Sequence, residues 1–181
     1  MIDATKTTKV IEQELQTLKA QIIANMRAAN EVASGRTIRS MAVVVSPDGL
    51  SVSLVGRSPF GTLETGRRDG RIPRNFDQII YDWMQAKGVH ATPMPYKRNN
   101  RGGWSPQERG DWSMARAISH TIQASGTKLF REGGRTDIYS NAIPPAMERL
   151  SKRLNVLYDA ELTENIMQRQ KDYYESLEVE I

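Results

Sequence analysis

The side chains able to react in this chain are few: two histidines, His90 and His120, no cysteine, and carboxylates that stand apart from one another. A hydrolytic metal centre needs ligands that converge, and Asp69, Asp77 and Asp82 are not at spacings that bring them together. His90 follows shortly after Gly88, and His120 lies between Ser119 and Thr121. Neither has a nearby cysteine or a spaced partner that would make a metal site, and nothing marks a nucleophile and base pair, so both read as ordinary polar histidines. Arg109-Gly110-Asp111 spells an adhesion-like tripeptide, but it falls in the expected first turn of a helix and reads as chance. No catalytic residue, metal or cofactor is expected.

What the chain offers instead is charge placed for binding. Arg67, Arg68, Arg71 and Arg74 crowd a stretch that also holds Gly61, Gly66 and Gly70. A guanidinium is a planar fork that fits a phosphate or a carboxylate equally well. Glu64 and Asp69 beside them favour mixed-charge protein contact over a pure phosphate grip, and a solvated loop accounts for the arginines equally well. Farther on, Lys97, Arg98 and Arg101 lie between Tyr96 and Trp104. That interleaving of cations and rings is used on single-stranded nucleic acid for steering and stacking, yet no zinc-finger, helix-turn-helix or RNA-recognition motif accompanies it. A loop bridging subunits is the better reading.

The net charge of +4 is unevenly distributed. Residues 57–110 hold 10 basic and 5 acidic side chains, whereas residues 111–181 hold 9 and 11. A positive middle points to an acidic partner, either nucleic acid or the acidic face of a protein. At 181 residues the chain is long enough for one core without disulfide or metal staples, so a single domain over 1–181 is expected. The absence of cysteine fits a reducing compartment. The first ten residues lack the features of a signal peptide, so no secretion is implied, and the longest apolar runs, such as Met41 to Val45, are far too short to span a bilayer.

The elements that must position these residues are legible from periodicity. Ile11, Leu15, Leu18, Ile22, Met26, Ala29 and Ala33 alternate spacings of three and four, predicting one helix from about Thr5 to Ser34, ended by Gly35. Glu12, Glu14, Gln16, Lys19 and Gln21 form its wet face. Met41–Val45 and Leu50–Val55 read as strands of a hairpin around Ser46-Pro47-Asp48-Gly49, with Gly49 left-handed in a short bulged loop. Further strands are placed near Arg36–Ser40 and Lys128–Phe130. Residues 58–74 and 89–104 read as extended loops. Between them a helix carries Phe76, Ile79, Ile80, Trp83 and Met84, capped by Asn75 and stopped by Gly88. Another opens at Ser105-Pro106 with Trp112, Ala115, Ile118 and Ile122 as its stripe and Gly126 as its end.

After a third loop, 132–141, the last helix opens at Pro144-Pro145 with the stripe Met147, Leu150, Leu154, Leu157, Leu162 and Ile166. Residues 167–181 read as a partly exposed acidic arm, with four acids from Lys171 onward, frayed or held by a partner. The fold class is therefore α+β, with long terminal helices and two central helices packed on a small antiparallel sheet built around one hairpin. Neither terminal helix needs its full length to cover two strands, which points to an obligate oligomer.

Leu63-Glu64-Thr65-Gly66-Arg67, Ile72-Pro73, the helix with Ile80, Trp83 and Lys87-Gly88, and then Ala117, Ile122, Gly126-Thr127 and Phe130 resemble tailed-bacteriophage neck proteins, the head-tail joining or tail-completion family. The likeness covers roughly residues 60–130, and the order of elements agrees beyond it. It implies a non-enzymatic virion component, made and assembled in the host cytoplasm, that forms a homo-oligomeric ring between portal-side and tail-side proteins. It places the Leu63–Arg67 loop and the basic run to Arg74 at subunit contacts or facing the DNA channel, without sequence readout and without a membrane partner. The basic loop 97–103 and the acidic C-terminal extension depart from the family pattern. The rival readings are a small basic nucleic-acid-binding or DNA-packaging accessory protein and, less well supported, a nuclease accessory.

Overall fold

The computed structural model describes residues 4–95 and 103–178, with side chains as far as Asp172. The fold is α+β: mainly helical, with long first and last helices and one two-stranded antiparallel sheet. Its elements are α1 (Ala4–Ala28), α2 (Arg36–Ser40), β1 (Ala42–Val45), β2 (Val52–Val55), a 3-10 turn at Ser58–Gly61, α3 (Thr62–Thr65), α4 (Phe76–Lys87), α5 (Pro106–Ser125), α6 (Lys128–Arg131) and α7 (Ile143–Glu178). They gather into two compact units. The first unit holds the chain up to Asn25, Met41–Gly56 and Tyr139 onward; the second holds Met26–Ser40 and Arg57–Ile138.

In the first unit α1 and α7 run antiparallel, because Lys6 pairs with Glu161 at 3.4 Å while Glu14 meets Arg149 at 2.8 Å and Arg153 at 3.4 Å. Glu14, assigned from sequence to the wet face, is buried beneath those two arginines. The buried apolar residues of this unit are Leu18, Ile22, Met41, Ala142 and Ala146. The expected stripe of α7 is only partly covered: Leu150, Leu154 and Leu157 are half-buried, while Met147, Leu162 and Ile166 are exposed. The hairpin pairs Val45 with Val52 and Ala42 with Val55. Its turn is held by Asp48, whose Oδ1 accepts from the Leu50 amide, and by Gly49 at φ +70°, while Thr8 of α1 donates to the Gly49 carbonyl.

The first helix stops earlier than the spacing predicts. Asn30 adopts φ +55°, the Asn30 amide donates to the Arg27 carbonyl and the Glu31 amide to the Met26 carbonyl. This is a Schellman cap with asparagine in the left-handed position that glycine usually takes. Lys87, at the end of α4, donates to both Asn30 oxygens.

Both extra strands are corrected to helical turns. At Arg36–Ser40, Arg39 donates to the Ser34 carbonyl and Ser40 to the Thr37 carbonyl; at Lys128–Arg131, Thr127 accepts from the Phe130 amide as an N-cap. Local hydrogen bonds set both turns, at Arg36–Ser40 against the β-branched Thr37 and Ile38. The 58–74 segment likewise begins as helix, in the 3-10 turn and α3, and only its second half is irregular.

The core of the second unit is the α4–α5 pair, with Phe76, Ile80, Met84 and Ala115 buried and Ile72, Tyr81, Val89, Met114, Ile118 and Ile122 packed around them. Ile79 and Trp83, expected on the same face, are exposed. Gly88 ends α4 in the left-handed conformation as predicted, but Asn75 makes no side-chain cap. Ser105 and Glu108 form a full capping box at the start of α5, satisfying two amides that a helix start otherwise leaves open.

Candidate functional site

Five residues that lie far apart in sequence meet at one junction. The Arg67 amide donates to Thr127 Oγ1 at 2.9 Å, and the Thr127 amide donates to the Arg67 carbonyl at 2.9 Å. Gly66, at φ +69°, lies so close to the α6 turn that a Cβ there would stand 2.5 Å from the Phe130 nitrogen. Gly126 is as tightly placed, with its Cβ position 2.8 Å from the Arg67 carbonyl oxygen. Only glycine meets both demands, a positive φ and no side chain. The loop from Leu63 to Arg67 and the Gly126–Phe130 segment are therefore one structural piece.

Glu64 faces inward, contrary to its expected role as a partner contact. It is 3% exposed, and its carboxylate accepts from the Ile138 amide at 2.8 Å while its carbonyl accepts from the Arg135 amide. A carboxylate so enclosed must be used by the chain's own donors. Nearby, Arg135 is clamped by Asp137 and Glu31, and the bidentate pair holds the Asp137 carboxyl below the usual carboxylate range.

The four arginines of the loop divide. Arg67 turns back over the Phe76 ring at 5.1 Å, its Nη2 donates to the Arg71 carbonyl, and its buried Nε has no hydrogen-bond partner among the described residues. Arg68 is 82% exposed beside Asp69, and Arg71 and Arg74 are exposed. Three of the four are thus exposed at the surface, Arg68 in an open ion pair with Asp69. Trp104 stacks on Trp112, which stacks on Tyr81, giving a ladder of three rings whose outer member is 46% exposed. Lys97, Arg98 and Arg101 lie outside the described residues.

Behind the loop, α4, α5 and α6 enclose a groove of about 680 Å³. Phe76, Ile80, Trp83, Met114, Ile118 and Leu129 supply apolar walls, and Arg67, Lys128 and Arg131 bring positive charge to it. The sequence contained this groove only as two helical stripes. The turn that makes its third side was expected as a strand.

Asp111 is the residue whose importance sequence reasoning missed. It is buried in α5 and accepts from Gln85, Gln107, the Ala91 amide and the ring of His90, 3.0 Å away. The hydrogen bond to His90, then that from Ala91, holds its carboxyl far below the usual range. An ionised carboxylate has no proton to give, so His90 Nδ1 is the donor. The neighbouring residues are equally committed: Arg109 donates to the Met94 carbonyl, and Gly110 leaves room for the Thr92 carbonyl, 2.4 Å from where a Cβ would stand. The adhesion-like tripeptide is a clamp on the 89–95 segment. His120 is exposed on α5.

Among the described residues no group of three or more histidine or carboxylate side chains could hold a metal ion, and no helix is long and apolar enough to cross a membrane. Against protein-family models, curated proteins and solved structures, the chain gives no match.

Proposed function

We propose that this chain is a non-enzymatic structural subunit of a tailed-phage virion, forming an oligomeric ring in the head-tail connector or neck and binding neighbours through its loops. The observation that supports this best is the junction of Gly66 and Arg67 with Gly126, Thr127 and Phe130, since these same residues carry the resemblance to neck proteins. A shared sequence pattern that folds into one contact has a physical reason to occur together. The apolar side chains left open along α7, with Met147, Val156, Leu162 and Met167 all more than half exposed, fit a protein completed by other subunits. In this reading Arg68, Arg71 and Arg74 meet acidic protein surfaces or the DNA backbone in the channel.

The experiment is to delete the gene from the phage that encodes it and examine the particles by electron microscopy, with mass spectrometry of wild-type virions. Filled heads without tails, and the protein present at a fixed ring copy number, are expected. Complete infectious particles lacking the polypeptide would refute the reading.

A second reading, a small nucleic-acid-binding or packaging accessory protein, is favoured by the ring ladder ending at exposed Trp104 together with the exposed arginines. A discrete complex of monomer or dimer with single-stranded DNA, lost on Trp104→Ala, would support it over the first.

A further inference from the structure

We propose that the groove between α4, α5 and α6 receives the acidic end segment of a second copy of this chain, residues 171–181, so that successive copies join head to tail. The inference rests on the ring reading above only in taking its partner to be another copy.

The groove has the chemistry of a receptor for an acidic, apolar peptide. Its walls are apolar, and three cations, Arg67, Lys128 and Arg131, stand at it against one acid, Glu31. That acid is already paired with Arg135. Arg67 is held over Phe76 with its Nη2 on the Arg71 carbonyl, so it brings fixed positive charge to the groove. Among the described residues Lys128 makes only the exposed pair with Glu132, at 3.7 Å, which binds weakly.

Residues 171–181, KDYYESLEVEI, supply the complement. Asp172, Glu175, Glu178 and Glu180 outnumber Lys171, while Tyr173 or Tyr174, Leu177 and Ile181 recur at spacings of three and four. Helical ligands present such a stripe to apolar grooves. The segment also continues α7 beyond its ion pair with α1. Glu161 pairs with Lys6, close to the first described residue of α1, and α7 runs on to Glu178, about 25 Å farther at 1.5 Å per residue. Ile166 and Met167 on that stretch are exposed. Because groove and segment are different surfaces, the contact is heterologous, and a heterologous contact whose rotation closes makes a ring.

The test compares the full chain, a chain lacking residues 171–181, and a groove variant, Ala117→Glu with Lys128→Glu, both at exposed lining positions. Sedimentation velocity reads self-association, and fluorescence anisotropy reads binding of a labelled peptide of residues 160–181 to the truncated chain. Expected are concentration-dependent association of the full chain, its loss in both variants, and a one-to-one dimer when the two variants are mixed. The peptide should bind the truncated chain and bind about tenfold more weakly once the groove substitutions are added. Should those substitutions unfold the protein, Leu177→Asp with Ile181→Asp in the peptide must give the same weakening. No peptide binding, or binding insensitive to both sets of changes, overturns the proposal. Peptide binding by the truncated chain with a full chain that stays monomeric assigns the groove to the chain's own arm and overturns the second copy. Rings that persist in particles after the deletion sink this inference alone, whereas peptide capture by a protein absent from virions sinks only the neck reading.

Discussion

Arg67 and Thr127, sixty residues apart, exchange hydrogen bonds so that each fixes the other: amide to hydroxyl in one direction and amide to carbonyl in the other, both 2.9 Å. The pairing turns the Arg67 side chain back over Phe76 and leaves Arg68, Arg71 and Arg74 outside.

The junction should tolerate no Cβ. Gly66→Ala must move the Phe130 backbone or abandon φ +69°, and the expected loss is roughly 2–4 kcal/mol. Thr127→Val removes both the acceptor for the Arg67 amide and the cap of α6, at a cost of about 1–2 kcal/mol. Urea unfolding of the two variants measures both, and a Gly66→Ala protein as stable as wild type would contradict the geometry.

The α1–α7 ion cluster should respond asymmetrically. Glu14 is buried, whereas Arg149 and Arg153 are 49% and 41% exposed and can return to water. Glu14→Gln is therefore expected to cost only about 1 kcal/mol. Removing both arginines strands a buried carboxylate and should cost about 3 kcal/mol. Equal losses in the two variants would show that Glu14 is not enclosed.

Asp111 makes stability depend on acid. Its carboxyl is held below the ordinary value, first by His90 and then by the Ala91 amide, so the native state binds its proton less readily than the unfolded chain does. The stabilisation is fully present above the unfolded carboxylate value of about 3.9 and is lost as pH falls through the lower folded value. Melting of wild type and Asp111→Asn should differ most near neutrality, with the gap closing below about pH 4. A gap that widens on acidification would reverse the assigned sign.

If the exposed arginines touch DNA, they do so as charges. Binding to duplex DNA should weaken with salt at roughly 0.9 logarithmic units per phosphate contact, and Arg68→Gln, Arg71→Gln and Arg74→Gln together should flatten the slope by up to about 2.7. A gel-shift series in salt reads it. A slope unchanged by the triple substitution would leave these side chains to protein partners.

The sequence was sufficient for whatever depends on neighbours in the chain. Gly88 stops α4, Ser105 and Glu108 open α5, Gly49 turns the hairpin, and the apolar periods give the long helices and the α+β class. These are set by φ preference, capping and burial of a stripe, all local. Tertiary packing decided the rest. Asn30 ends α1 early because it is capped in place by Lys87 from α4; the helical turns at Arg36–Ser40 and Lys128–Arg131, by contrast, rest on local hydrogen bonds. Glu14, Glu64 and Asp111 look like surface acids in sequence, yet each is buried. A buried carboxylate is stable only where donors from elsewhere converge on it, and which donors converge is fixed by the arrangement of elements in space, which no local pattern encodes.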